Sequence, residues 1–200
     1  MIDPQDLALL DLAEASYNFT TWNTELSHLL VRENDEFFDW AFQGTHDLRD
    51  LLTDAEALAQ ASMPGAGPVS ASFYRSTTSV VWRLIPAVVA AKAKGKKVRG
   101  TGHSKGAGEA LDAAIILTLC GLRPDRLSLW EPARSVGPAA LLLVQDIPGI
   151  ATHVGNDPVP DAPPNWLTRP LTKFAGMDGI NLDPFEDHYL RNVRTCVMRP

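Results

Sequence analysis

Ser104 stands in Gly102-His103-Ser104-Lys105-Gly106, a G-x-S-x-G pattern suited to nucleophilic attack by a serine hydroxyl. Such chemistry needs a sharp strand-to-helix turn that lifts the hydroxyl clear of the backbone. The turn leaves almost no room for a Cβ two residues before or after the serine, which accounts for Gly102 and Gly106. Ala107, Gly108 and Ala110 keep the first helical turn slim. An ordinary glycine-rich loop would not require a strand before this stretch and a helix after it.

A serine hydroxyl is a weak nucleophile; it needs a base, and the base needs an acid to orient it. The chain has five histidines, at 28, 46, 103, 153 and 188. His188 is selected by elimination as the one C-terminal to an acid that could follow the strand after Ser104. His103 adjoins the serine, but consecutive positions at such a turn point apart. Asp157 is the leading acid because it falls just after a predicted strand, at the carboxyl edge where ligands bind in open sheets. Asp146, Asp161 and Asp183 compete with it, while Asp187 is too close to His188. Oxyanion donors are expected from a backbone N–H of Gly44-Thr45, at the end of another predicted strand, and from that of Lys105. The Lys105 side chain is expected to be solvated. No metal or cofactor signature is present: there is no H-E-x-x-H, paired cysteine or Asp-rich calcium loop.

The elements that must position these groups can be read from periodicity. Helices are expected over Pro4–Ser16, about Asp47–Ala61, Arg75–Lys94 with Pro86 as a kink, Lys105–Leu119 and Val136–Asp146. Strands are expected at Leu29–Arg32 and Phe37–Phe42, as a hairpin, and at Val69–Phe73, Lys97–Thr101, Leu127–Trp130 and Ile150–Val154. Met63–Pro68 reads as a break within the domain, and the C-terminal part is weakly patterned. Alternating strands and helices indicate an α/β fold, a mostly parallel central sheet flanked by helices, with an antiparallel entry hairpin.

At 200 residues, 45% hydrophobic and 21% charged, the chain suits one soluble domain spanning residues 1–200. The net charge of -6 argues against a nucleic-acid partner, and Lys92–Arg99 reads as the solvated end of a helix and its turn. Cys120 and Cys196 make no disulfide framework, and Cys120 reads as a small buried hydrophobe. No transmembrane segment is expected. The acidic, helix-patterned N-terminus is no signal peptide, so synthesis in the cytosol is expected, with export or release by lysis left open.

Five segments in order resemble the class 3 (fungal-type) lipase family of α/β-hydrolases. Phe42-Gln43-Gly44-Thr45 is similar to its F-R-G-[ST] oxyanion loop, with Thr45 in the oxyanion position and Gln43 where arginine is usual. Gly102–Gly106 is similar to its G-H-S-L-G, with Lys105 replacing leucine as in small bacterial or phage-like relatives. Trp130–Gly137 is similar to F-G-x-P-R-x-G with one residue inserted, Asn156–Pro160 to N-x-D-P-V-P, and Asp187–Leu190 to D-H-x-x-Y. Val69–Phe73 departs from V-H-x-G-F, with Ser70 and Ser72 in place of His and Gly. The resemblance implies an α/β-hydrolase fold with its nucleophile elbow at Ser104, and a lipase or esterase with catalytic Ser104, Asp157 and His188. It also implies a lid helix within residues 47–61, whose Leu48, Leu51 and Leu52 would meet an acyl chain or make transient contact with a lipid surface. Rival readings are a serine thioesterase or peptidase, and a catalytically silent binding module.

Overall fold

Five strands make the main sheet in the computed structural model, which describes residues 2–45, 59–155, 157–161, 174–176 and 188–198. In chain order the elements are α1 (Pro4–Ala15), β1 (Trp22–Asn23), β2 (His28–Glu33), β3 (Phe37–Phe42), β4 (Gln60–Met63), β5 (Gly67–Ser70) and α2 (Ala71–Ala93). There follow β6 (Lys97–His103), α3 (Lys105–Leu119), β7 (Arg126–Trp130), α4 (Pro138–Leu142), β8 (Thr152–Val154), a 3-10 turn (Val159–Asp161), β9 (Phe174–Gly176) and α5 (Leu190–Met198).

The sheet order is β1-β2-β3-β6-β7. The first three strands are antiparallel, and β3, β6 and β7 run parallel, as the expected entry hairpin and crossover helices require. A parallel bridge from Leu129 to Ala151 extends the sheet toward β8, which itself pairs in parallel with β9.

Alternation along β7 shows how the two faces are filled. Leu127 and Leu129 join the larger core with Val80, Leu84 and Val88 of α2 and Leu111, Ala114 and Ile115 of α3. Trp130 turns the other way and packs with Leu10 and Ala13 of α1 and Val193 and Val197 of α5. Asp3 caps α1 by accepting from the Gln5 N–H at 2.8 Å, and Pro4 opens the helix. Asp6, buried on the same helix, accepts from Arg126 at 2.8 Å and from Ser128 Oγ at 2.5 Å, and so ties α1 to β7. Across β3 and β6, buried Arg99 and Asp39 form a two-point ion pair at 2.7 Å each, with the guanidinium 3.5 Å over the Phe37 ring.

Several expectations need correction. Residues 60–63 pair with 67–70, so the helix expected to reach Ala61 gives way to a hairpin, and Met63–Pro68 is its turn. Helix α2 starts at Ala71, so Phe73 is helical and the strand expected through it stops at Ser70. Helix α4 is five residues rather than the longer run to Asp146. Arg99 is buried, not solvated, because Asp39 neutralises it, and Cys120 is exposed at the end of α3. Helix α5 was not expected, although Leu190, Val193, Cys196 and Val197 recur at helical spacing over its nine residues. No helix among the described residues is long and apolar enough to cross a membrane.

Candidate active site

The turn between β6 and α3 holds Ser104 at φ 59° and ψ -127°, a conformation that L-residues seldom adopt. Backbone packing enforces it. A Cβ on Gly102 would stand 2.2 Å from the Gly106 carbonyl oxygen, and one on Gly106 would stand 2.3 Å from that of Phe42. The Ser104 N–H donates to the Trp130 carbonyl at 2.9 Å, and the Ser104 carbonyl accepts from Ala107 at 3.0 Å to open the helix. The hydroxyl is buried, and its Oγ has no hydrogen-bond partner.

Asp157 follows β8, with its N–H donating to the Val154 carbonyl at 3.3 Å. Its Oδ1 accepts from the Val159 N–H at 2.9 Å, which starts the 3-10 turn. Its Oδ2 accepts from His188 Nδ1 at 2.5 Å, and both side chains are fully buried. That bond places the ring proton on Nδ1 and leaves Nε2 as a lone-pair acceptor. Nε2 is buried and has no partner. The competing acids are engaged elsewhere: Asp146 with Arg123 and Asp161 with Arg134 at 2.7 Å. Asp183, Asp187 and His46 lie outside the described residues, as do Leu48, Leu51 and Leu52.

Two residues given no role by sequence reasoning connect these parts. The Nε2–H of His103 donates to the His188 carbonyl at 2.7 Å, so Nδ1 accepts the Tyr17 hydroxyl, also at 2.7 Å. Burial, and then the adjacent His188, hold His103 well below the usual histidine range, in keeping with a neutral ring. Burial pushes the Tyr17 phenol up, and a hydrogen bond from the Gly44 backbone opposes it. A Cβ on Gly44 would sit 2.3 Å from Tyr17 Oη and 3.3 Å from Ser104 Cβ, so the end of β3 lies against the elbow. Tyr17 is 86 residues from its partner and has no local motif, which leaves nothing in the sequence to flag it.

Thr45 borders two clefts. One of about 310 Å³ is lined by Tyr17, His103, His188, Tyr189 and Leu190; the other, of about 420 Å³, by Glu25, Leu26, His28, Gln43 and Lys105. The Lys105 ammonium is not solvated as expected. It donates to the Leu26 carbonyl and Ser76 Oγ, each at 3.1 Å, and pairs with buried Glu109. Its backbone N–H stands at the first helical position, where no intrahelical acceptor exists. No group of three or more His, Cys, Asp or Glu among the described residues could hold a metal ion.

A mostly parallel sheet flanked by helices, with a strained serine between strand and helix, defines an α/β-hydrolase fold. Residues 40–134, just under half the chain, match the family model for lipase (class 3), and the chain resembles that family in fold over most of its length. The Rhizomucor miehei lipase in its propeptide complex superposes with a TM-score of 0.69 at 23% identity, covering 82% of this chain and 65% of that one. The chain thus spans a little under two thirds of that relative. The Rhizomucor miehei triacylglyceride lipase gives 0.68 at 23% identity, covering 82% and 76%. The mono- and diacylglycerol lipase of Aspergillus oryzae gives 0.61 at 21% identity, covering 72% and 56%. No curated protein sequence matches.

Proposed function

We propose that the chain is a serine carboxylic-ester hydrolase that works through an acyl-enzyme on Ser104. One observation carries the reading: a buried, strained serine with an unpaired Oγ follows His103, whose ring lies 4.7 Å from that of a histidine with Nδ1 bound to a buried carboxylate and Nε2 unpaired. Unpaired buried polar atoms are costly, by about 1–3 kcal/mol each, and are kept where function uses them.

His188 Nε2 takes the Oγ proton as the Oγ–carbon bond forms, and Asp157 stabilises the imidazolium. The N–H groups of Thr45 and Lys105 hold the oxyanion, each contributing about 3–4 kcal/mol at related sites. The imidazolium then gives its proton to the leaving alkoxide as the ester carbon–oxygen bond breaks. Water, deprotonated by the same nitrogen, releases the acid. Lipid esters are the favoured substrates, supported by the likeness to a triacylglyceride lipase and to a mono- and diacylglycerol lipase.

The test is hydrolysis of p-nitrophenyl esters from acetate to palmitate by wild type, Ser104→Ala and His188→Ala. Activity in wild type and its loss in both variants is expected, with the chain-length profile separating esterase from lipase. A wild type silent on every ester but binding the same ligands as Ser104→Ala would instead indicate a binding module.

A further inference from the structure

Glu131 and Ser104 are the two non-glycine residues with positive φ among the described residues, at 48° and 59°. They stand at the carboxyl ends of adjacent parallel strands, and the Trp130 carbonyl between them accepts the Ser104 N–H. Such a backbone ordinarily demands glycine, yet Glu131 holds it. A strained, fully buried glutamate in place of glycine calls for a reason, and its surroundings give one.

Its Oε2 accepts from the Val154 N–H at 3.0 Å, while the Val154 carbonyl accepts the Asp157 N–H at 3.3 Å. One residue thus holds both acids. Its own N–H donates to Thr152 Oγ1 at 3.0 Å. Both Asp157 oxygens are already taken, by Val159 and by His188, whereas Glu131 Oε1 makes no hydrogen bond of ordinary geometry and is buried.

We propose that Glu131 is a positioning residue: its buried carboxyl donates a proton toward Asp157 and so fixes the carboxylate that orients His188. Burial, then the Asp157 charge and hydrogen bond, raise the Glu131 carboxyl well above the usual range, which suits it to supply the proton. Among the described residues, the titratable groups beside the pair are His188, His103 behind it, and His153 on β8, whose Nε2 donates to the Asp157 carbonyl at 3.2 Å. From α1 and α5, Leu10, Ala13, Val193, Val197 and the Cys196 thiol pack on the Trp130 side. When the Glu131 proton leaves, two carboxylates face each other, Asp157 is displaced, and the His188 ring loses its alignment.

This rests on the ester-hydrolase reading, so labelling by a fluorophosphonate is measured first: an unlabelled wild type fails that reading, not this inference. The inference itself is read from the pH dependence of kcat/KM for p-nitrophenyl acetate and from the downfield proton signal of the His188–Asp157 hydrogen bond. Wild type should lose activity on the alkaline side with a parallel change in that signal. Glu131→Gln, which keeps an N–H donor and cannot ionise, should retain kcat within about threefold and lose both alkaline changes. Glu131→Ala should lose about tenfold or more in kcat with KM little altered. Wild type and Glu131→Gln sharing one pH profile and one signal titration would overturn the inference, whether or not Glu131→Ala folds.

Discussion

His103 and His188 lie ring beside ring, with centroids 4.7 Å apart and planes inclined by 38°, and the Nε2 of the first donates to the backbone carbonyl of the second at 2.7 Å. The residue before the proposed nucleophile therefore fixes the residue that must accept its proton. Tyr17 supports His103 from the other ring nitrogen. Tyr17→Phe removes that support while keeping the aromatic ring. It should lower kcat on a soluble ester about tenfold, ~1.4 kcal/mol, with KM nearly unchanged. An unaltered kcat in a folded variant would show that His103 needs no such partner.

Because burial keeps His103 neutral in the folded chain, the unfolded chain takes up a proton there below about pH 6.5 that the folded one refuses. This contribution to stability is full above that pH and is lost as the pH falls toward the depressed folded value. Urea midpoints measured between about pH 7.5 and about pH 5.5 should fall for wild type and fall less for His103→Gln. Equal slopes in the two proteins would place the acid sensitivity elsewhere.

Asp112 on α3 predicts the opposite slope. It is fully buried, and neither carboxyl oxygen has a hydrogen-bond partner. Burial pushes its carboxyl well above 3.8, with Ser135 opposing and Glu109 adding to the rise. The folded state holds this proton longer than the unfolded state, so stability is full below about pH 3.8 and falls as the pH rises through the folded value. Across that range each pH unit costs up to about 1.4 kcal/mol. Asp112→Asn should therefore gain on wild type steadily as the pH rises, and a constant difference would contradict this account.

The elbow stores strain that function alone justifies. Ser104→Gly should abolish hydrolysis yet raise stability by about 1 kcal/mol, since glycine adopts the backbone conformation freely. Gly106→Ala should do the reverse in kind, costing about 3 kcal/mol or more because its Cβ would meet the Phe42 carbonyl rather than a movable side chain. Denaturation of the two variants beside wild type reads both effects. A destabilised Ser104→Gly would mean that the turn is relaxed.

Deleting half of the Arg99–Asp39 pair should cost about 3–5 kcal/mol, because the remaining charge stays buried. Replacing both by hydrophobes of similar volume, as in Asp39→Leu with Arg99→Met, should cost far less. A double-mutant cycle by urea unfolding measures the difference, and single variants as mild as the double would refute it.

Much of this fold is local enough to be legible in sequence. The strand over Phe37–Phe42, the strand from Lys97, the helix from Lys105 and the glycines of the elbow all follow from periodicity and steric need. The pairing of His188 with Asp157, by contrast, is a tertiary fact, which chain order could suggest but not place. Glu131 lies within the Trp130–Gly137 segment, yet only its positive φ and its buried, unpaired Oε1 reveal a use for it. The engagement of the Lys105 ammonium is hard to read from sequence because Leu26 and Ser76 come from distant segments, though Glu109 lies one turn along the same helix. The hairpin at Gln60–Ser70 is hidden in the sequence because Ala61 continues the helical spacing of Ala55 and Leu58, which pairing with Val69 overrides.

Labelling with a fluorophosphonate, read by intact mass and peptide mapping, tests the central claim most directly. The account predicts one adduct per chain, on Ser104, absent from Ser104→Ala and strongly slowed in His188→Ala. A folded wild type that takes up no label, or takes it on another residue, would contradict it.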